Sequence, residues 1–100
     1  MVGGATLTGL LGTSAWYAPG ASVAYLVDSI LNNQKRMIPC SVFLEGEYGQ
    51  QDICMGVPCI IGKNGVEQIV DVQLNDVEKA LFSKSADAVR AMNADLKAVL

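Results

Sequence analysis

At Ile38 the apolar residues change their spacing, and no other feature of the chain constrains its fold as much. Upstream, Val23, Leu26, Val27, Ile30 and Leu31 recur every three or four residues, which places them on one face of an α-helix. From Ile38 the repeat is two. Ile38, Cys40, Val42 and Leu44 alternate with Pro39, Ser41 and Phe43, as on a strand with one buried side. Helical spacing returns after Asn75, where Val77, Leu81, Ala88, Met92, Leu96 and Val99 form a stripe that Lys79, Asp87, Arg90 and Lys97 largely avoid. The chain therefore reads as α+β: a helix, a three-stranded antiparallel meander and a long C-terminal helix, in one unit over residues 1–100.

Local signals place the boundaries. Gly3 to Leu11 reads as the last turns of a helix ended by Gly12. Thr13 or Ser14 is expected to cap the next helix, Pro19 suits its first turn, and Lys35 and Arg36 suit its C-terminus. Glu45 to Gly49 turns the chain. Ile53 to Ile61 forms the second strand, and Pro58 within it implies an edge position or a bulge. Asn64-Gly65 signals a hairpin, and Val70, Val72 and Leu74 alternate on a third strand. Asn75 with Glu78 three residues on matches a capping box, and Asp76 adds negative charge to the first turn of the last helix.

With 51% hydrophobic and 17% charged residues, the chain has more apolar surface than so small a domain readily hides. Part of it is expected to lie against another domain or subunit. The net charge is −3 and no basic cluster exceeds Lys35-Arg36, which excludes a phosphate-neutralising nucleic-acid surface. No apolar run approaches the roughly 20 residues of a membrane span. The N-terminus lacks the charged start of a signal peptide. Cys40, Cys54 and Cys59 are odd in number and lack CxxC spacing, and Cys54 and Cys59 point to opposite faces of a strand. They read as buried, reduced thiols of a cytoplasmic protein, with neither disulfide nor metal.

The residues show no self-contained active site. There is no histidine, hence no imidazole acid/base and no Ser-His or Cys-His pair. No GxGxxG follows a strand. Turns and caps account for the glycine pairs Gly9/Gly12 and Gly62/Gly65. Glu45 and Glu47 read as solvated turn acids, and Arg36 and Arg90 as a helix end and a helix surface rather than a dicarboxylate clamp. Trp16-Tyr17-Ala18-Pro19, at a helix start, can wall a pocket, although packing is the ordinary use of such aromatics.

Four segments nevertheless occur in a familiar order. Thr13-Ser14-Ala15-Trp16-Tyr17-Ala18-Pro19-Gly20-Ala21-Ser22-Val23-Ala24 resembles the helix-start segment of the lactate/malate dehydrogenase family. Ile38-Pro39-Cys40-Ser41 with Leu44-Glu45-Gly46-Glu47-Tyr48-Gly49 is similar to the family's following strand and turn. Gly56-Val57-Pro58-Cys59 and Ile61-Gly62-Lys63-Asn64-Gly65-Val66-Glu67 are similar to its hairpin, and Glu78 and Ser85-Ala86 fit its closing helix.

The resemblance implies the C-terminal substrate-binding domain segment of an NAD-dependent enzyme that interconverts malate and oxaloacetate. It implies that the NAD-binding Rossmann domain, the His-Asp pair and the substrate arginines all lie upstream of the matching region. This chain alone is then expected to be inactive and to bind no cofactor, with no catalytic residue and no metal ligand of its own. Ala15, where lactate enzymes carry threonine, is implied as a substrate-pocket wall of the malate branch, and Pro19 as a neighbour of the nicotinamide. The helix Val23 to Leu31 is implied at a homo-oligomer interface. Two alternatives stay open: a lactate-branch segment, and a stand-alone interaction or oligomerisation module of the same fold.

Overall fold

A computed structural model describes residues 3–100. In chain order it comprises α1 (Gly3–Leu11), α2 (Tyr17–Leu31), β1 (Arg36–Glu45), a 3₁₀ turn (Glu47–Gly49), β2 (Gln51–Gly62), β3 (Gly65–Ile69) and α3 (Asp76–Val99). The three strands form one antiparallel sheet in the order β1-β2-β3, with α2 and α3 against the central strand. The α+β reading holds.

Alternation builds the core as expected. Ile53, Met55, Val57, Cys59 and Ile61 of β2 point inward and are buried, as is Leu44 of β1. Ile38, Cys40 and Val42 of β1 pack beside them, half-buried. Each strand pairing carries one bulge. Leu44 faces Ile53 but Glu45 faces Gln51, leaving Asp52 as the extra residue at φ 56°. Ile60 faces Gln68 but Ile61 faces Val66, which leaves Glu67 unpaired on β3.

The third strand is not where alternation put it. β3 runs over 65–69, and 70–75 is irregular. Pro58 explains the difference. The Val70 N–H donates to the Pro58 carbonyl at 2.9 Å, a bond that residue 58 would return through its own N–H in an antiparallel ladder. Proline has none, so the ladder stops. The Val70 carbonyl instead accepts the Tyr48 hydroxyl, which also accepts from the Val72 N–H at 2.9 Å. Pro58 thus sits on the central strand, not at an edge. It lies opposite Pro39 in a pair whose polar groups face away from each other, so neither ring costs a β1–β2 bond.

Two further expectations are corrected. Lys35 and Arg36 do not close α2: the helix ends at Leu31, Lys35 lies in the connecting loop at φ 52°, and Arg36 opens β1. In α3 the capping box is present, with Asn75 Oδ1 accepting from the Glu78 N–H at 2.8 Å and Glu78 Oε2 accepting from the Asn75 N–H at 3.3 Å. Its buried face, however, is Ala86 with half-buried Phe82 and Val89; every residue of the expected stripe is exposed. Tyr48 decides this rotation by stacking on Phe82, ring centroids 5.4 Å apart.

The core is correspondingly thin. Seven hydrophobic residues are buried, whereas nineteen large ones are exposed among the described residues. The radius of gyration is 15.8 Å, against about 13 Å for a compact domain of 100 residues. α1 buries nothing. Tyr48→Phe removes the hydroxyl that bonds Val70 and Val72 beyond the end of the ladder, and it is expected to destabilise the chain by about 1–2 kcal/mol. Urea unfolding measures the loss, and faster amide exchange at Val72 locates it.

Candidate functional site

The segment that carries Ala15 and Pro19 is the junction into α2. Trp16 occupies the N-cap with φ −109° and ψ −40°, and no side chain caps it, so neither Thr13 nor Ser14 has that role. The helix starts here because of Pro19. At the third helical position its missing N–H removes one of four donors that would be unpaired anyway, and its ring favours helical φ. The first helical bond runs from the Gly20 N–H to the Trp16 carbonyl at 3.0 Å. Ala15 lies just outside the helix and is half-buried, while Pro19 is exposed on the first turn. Between them Trp16 and Tyr17 stand out at 75% and 93% exposure.

The chemistry of this junction is set by what the sequence omits. No Asp, Glu, Lys or Arg occurs before Asp28. A surface of alanine, proline and two outward aromatics can shape a pocket, but it carries no charged side chain to hold a carboxylate.

The other candidates resolve into framework. Glu47 accepts from the Glu45 N–H at 2.7 Å. That bond, with a second from its own N–H, holds its carboxyl below the usual carboxylate range. It closes the turn and forms no pair with Glu45. Arg90 reaches from α3 to Gln50 Oε1 at 3.1 Å and the Gln51 carbonyl at 2.9 Å, pinning the same turn. A shallow cleft of about 640 Å³ beside Tyr48, Asp71, Gln73 and Lys79 contains neither Ala15 nor Pro19. Nor does a second of about 550 Å³ beside Phe43, Cys54, Arg90 and Lys97. Among the described residues no group of three or more His, Cys, Asp or Glu is placed to hold a metal ion.

All three cysteines are free, and they differ more than the sequence reading allowed. Cys59 is buried, with Sγ 3.3 Å from the Val57 carbonyl. Burial, then the neighbouring Cys40, pushes its thiol up. Cys40 is half-buried. Cys54, on the other face of β2, is exposed.

A clasp joins the loop after α2 to the β2–β3 hairpin. The Lys35 ammonium lies 3.1 Å from Glu67 Oε1, the Asn64 N–H reaches Glu67 Oε2 at 3.4 Å, and Asn33 Oδ1 accepts from the Lys63 N–H at 3.1 Å. Gly62 is confined beneath it: a Cβ there would collide with the Glu67 carboxylate. The Lys35 hydrogen bond holds Glu67 below the usual carboxylate range, against an opposing effect of burial that outweighs each of the lesser contributions, the Asn64 bond and the charges of Lys35 and Lys63. The sequence reading missed this clasp. Its one signal was Glu67 itself, an acid two residues after the hairpin glycine.

Comparison with known proteins identifies the surroundings of these residues. The family described as lactate/malate dehydrogenase, alpha/beta C-terminal domain, matches residues 3–99. The chain is 83% identical over 100 residues to the malate dehydrogenase of Flavobacterium frigidimaris, covering all of this chain and 32% of that protein. Among solved structures, malate dehydrogenase from Salinibacter ruber superposes with a TM-score of 0.93 at 42% identity, over 98% of this chain and 32% of that one. Lactate dehydrogenase from Eimeria maxima, solved with NADH and oxamate, superposes with a TM-score of 0.92 at 40% identity, over 98% and 31%. The chain thus spans about a third of the length of the curated relatives it matches.

Two measurements test the local chemistry. Under limiting maleimide, mass spectrometry of the native chain should show Cys54 labelled first and Cys59 only on unfolding. The clasp should be acid-labile. Because the folded-state pKa of Glu67 lies below its unfolded value, its contribution is complete above the ordinary carboxylate pKa and is lost as pH falls through the lowered one. Protection of the Asn64 amide, taken relative to its intrinsic exchange rate, should fall in that window, and Glu67→Gln should abolish the step.

Proposed function

The chain belongs to the lactate/malate dehydrogenase family, as the α/β C-terminal domain of that family, and on that footing we propose that it is the substrate-side segment of an NAD-dependent malate dehydrogenase. The observation that carries this reading is identity at 83%, over every residue of the chain, to a protein named malate dehydrogenase. Backbone shape does not separate the branches, since a lactate and a malate dehydrogenase superpose almost equally well. Sequence favours the malate branch.

In this reading the chain's own residues supply shape. Ala15 leaves room at the pocket wall for the second carboxylate of oxaloacetate, where a threonine would fill it. Pro19, exposed one turn away, lies toward the nicotinamide. No cradle for the dinucleotide phosphates is found among the described residues: the sheet is wholly antiparallel, with no strand-to-helix glycine-rich turn. When bound by the rest of the enzyme, NAD accepts or returns the hydride. The proton that accompanies reduction of the oxaloacetate carbonyl also comes from outside this chain, which has no histidine.

Val23, Val27 and Leu31 form an open apolar row on α2, with Val23 60% and Leu31 77% exposed. That row supports a homo-oligomer interface on this helix. Three free thiols fit a cytoplasmic location.

The test uses the intact protein. NADH oxidation should be faster with oxaloacetate than with pyruvate by about 10²-fold in kcat/KM, and Ala15→Thr should shrink that preference at least ~10-fold. A preference for pyruvate would assign the lactate branch instead. Absence of turnover with either would leave an interaction module.

A further inference from the structure

Among the described residues α2 is held at few points. Of its fifteen residues only Ser29 is fully buried, and only Leu26 and Ile30 pack, half-buried, on the sheet core. Both sit in the second half of the helix, on one narrow strip. The turns from Tyr17 to Tyr25 extend beyond that grip, and the open row Val23, Val27 and Leu31 runs along one flank. A helix resting on so narrow a strip is free to roll unless the other flank is fixed.

Arg36 fixes it. Its guanidinium carbon lies 4.3 Å from the centroid of the Tyr25 ring. Nη1 lies 3.5 Å from Ser29 Oγ and 3.5 Å from Asp28 Oδ2. The two polar contacts are long, yet Ser29 gives them weight. Its hydroxyl proton goes to the Tyr25 carbonyl at 2.9 Å, and its remaining lone pairs, in a residue 0% exposed, are beyond the reach of water. Arg36 is the donor the structure supplies for them. Tyr25 and Ser29 are four residues apart and share one face, so a single side chain on the first residue of β1 grips two successive turns.

We propose that Arg36 is a positioning residue: it sets the roll and tilt of α2, and so the place of the Ala15 wall. The proposal rests on the reading of Ala15 as part of the substrate pocket. The lever is long. From Ser29 to the helix start at Tyr17 is about 18 Å, over which a tilt of about 5° moves the far end by roughly 1.5 Å. A displacement near 1 Å in a positioning element can lower turnover by up to about 10²-fold.

The experiment compares Arg36→Gln, Arg36→Lys and Ser29→Ala in the intact enzyme. The readouts are the ratio of kcat/KM for oxaloacetate to that for pyruvate, and the crystal structure of each variant. A residue needed only for folding changes the amount of active enzyme, which cancels in the ratio. Arg36→Gln should lower the ratio about ten-fold and shift Ala15 by about 1 Å relative to β1 and β2. Arg36→Lys, which keeps the charge near Asp28 but loses the flat face on Tyr25, should fall between. Should Arg36→Gln fail to fold, Ser29→Ala removes the buried acceptor and carries the same expectation at smaller size. An unmoved α2 with an unchanged ratio overturns the proposal. A moved α2 in an enzyme whose parent form has no preference for oxaloacetate would uphold the clamp and refute the substrate reading.

Discussion

Burial of every second side chain along β2 is the constraint on which the rest of the structure depends. Ile53, Met55, Val57, Cys59 and Ile61 form a continuous inward row, and each is at most 7% exposed. No other element has more than one fully buried residue among those described: Leu44 in β1, Ser29 in α2 and Ala86 in α3. Both long helices therefore borrow their hydrophobic anchorage from a single strand. A one-residue slip of that strand would turn the row outward and leave α2 and α3 with nothing to pack on. Slip is resisted at both ends, by the bulge at Asp52 and by the tight turn into β3 above Gly62.

Because apolar contact fixes each helix at only a few points, polar contacts decide orientation. Tyr48 takes up the Val70 carbonyl where Pro58 ends the ladder, and its ring sets the rotation of α3. Arg90 ties α3 back to the same turn, and the Lys35–Glu67 clasp fastens the loop that follows α2. Most of these contacts are exposed, where ion pairs contribute little to stability. Their value here is geometric, since each removes a freedom that the thin core leaves open.

How much of this the sequence disclosed follows from which forces were local. Alternation in β1, the strand from Ile53 to Ile61, the capping box at Asn75 and Glu78, and the helical spacing from Val23 to Leu31 are written in neighbouring residues, and the structure agrees with them. The third strand was misplaced because its end depends on Pro58, twelve residues before Val70 in the chain. The buried face of α3 was misjudged because Val77, Leu81, Met92 and Leu96 are as helically spaced as Phe82, Ala86 and Val89. Spacing cannot say which of two apolar faces a sheet will take; Tyr48, in a turn remote in sequence, does. Arg36 was read as a helix end because the loop residues Asn33 and Lys35, both at positive φ, left no mark in the pattern. At the candidate site, residue chemistry alone yielded only a small, uncharged wall. Resemblance to the family, not periodicity, gave that wall a meaning.

The charge distribution bears on the proposed role of Ala15 as a wall that acts by shape. Residues 1–27 carry no Asp, Glu, Lys or Arg, and every group able to bind by charge lies from Asp28 onward, in the framework. A wall that acts by shape rejects a ligand only as sharply as it is placed. A methyl-sized intrusion into a pocket is worth about 1–3 kcal/mol, and less if the wall can yield. Alanine has no side-chain rotamers to lose, so any uncertainty in the position of Ala15 comes from the backbone and hence from α2. The helix start adds no stiffness, for Trp16 caps it without a side-chain bond. Among the described residues the bracing lies at the other end, where Leu26, Ser29 and Ile30 meet the sheet and Arg36 closes over Tyr25. In the proposed reading, the Ala15 wall and the residues that brace it are at opposite ends of one helix. The inward row of β2 is what connects them to the rest of the molecule.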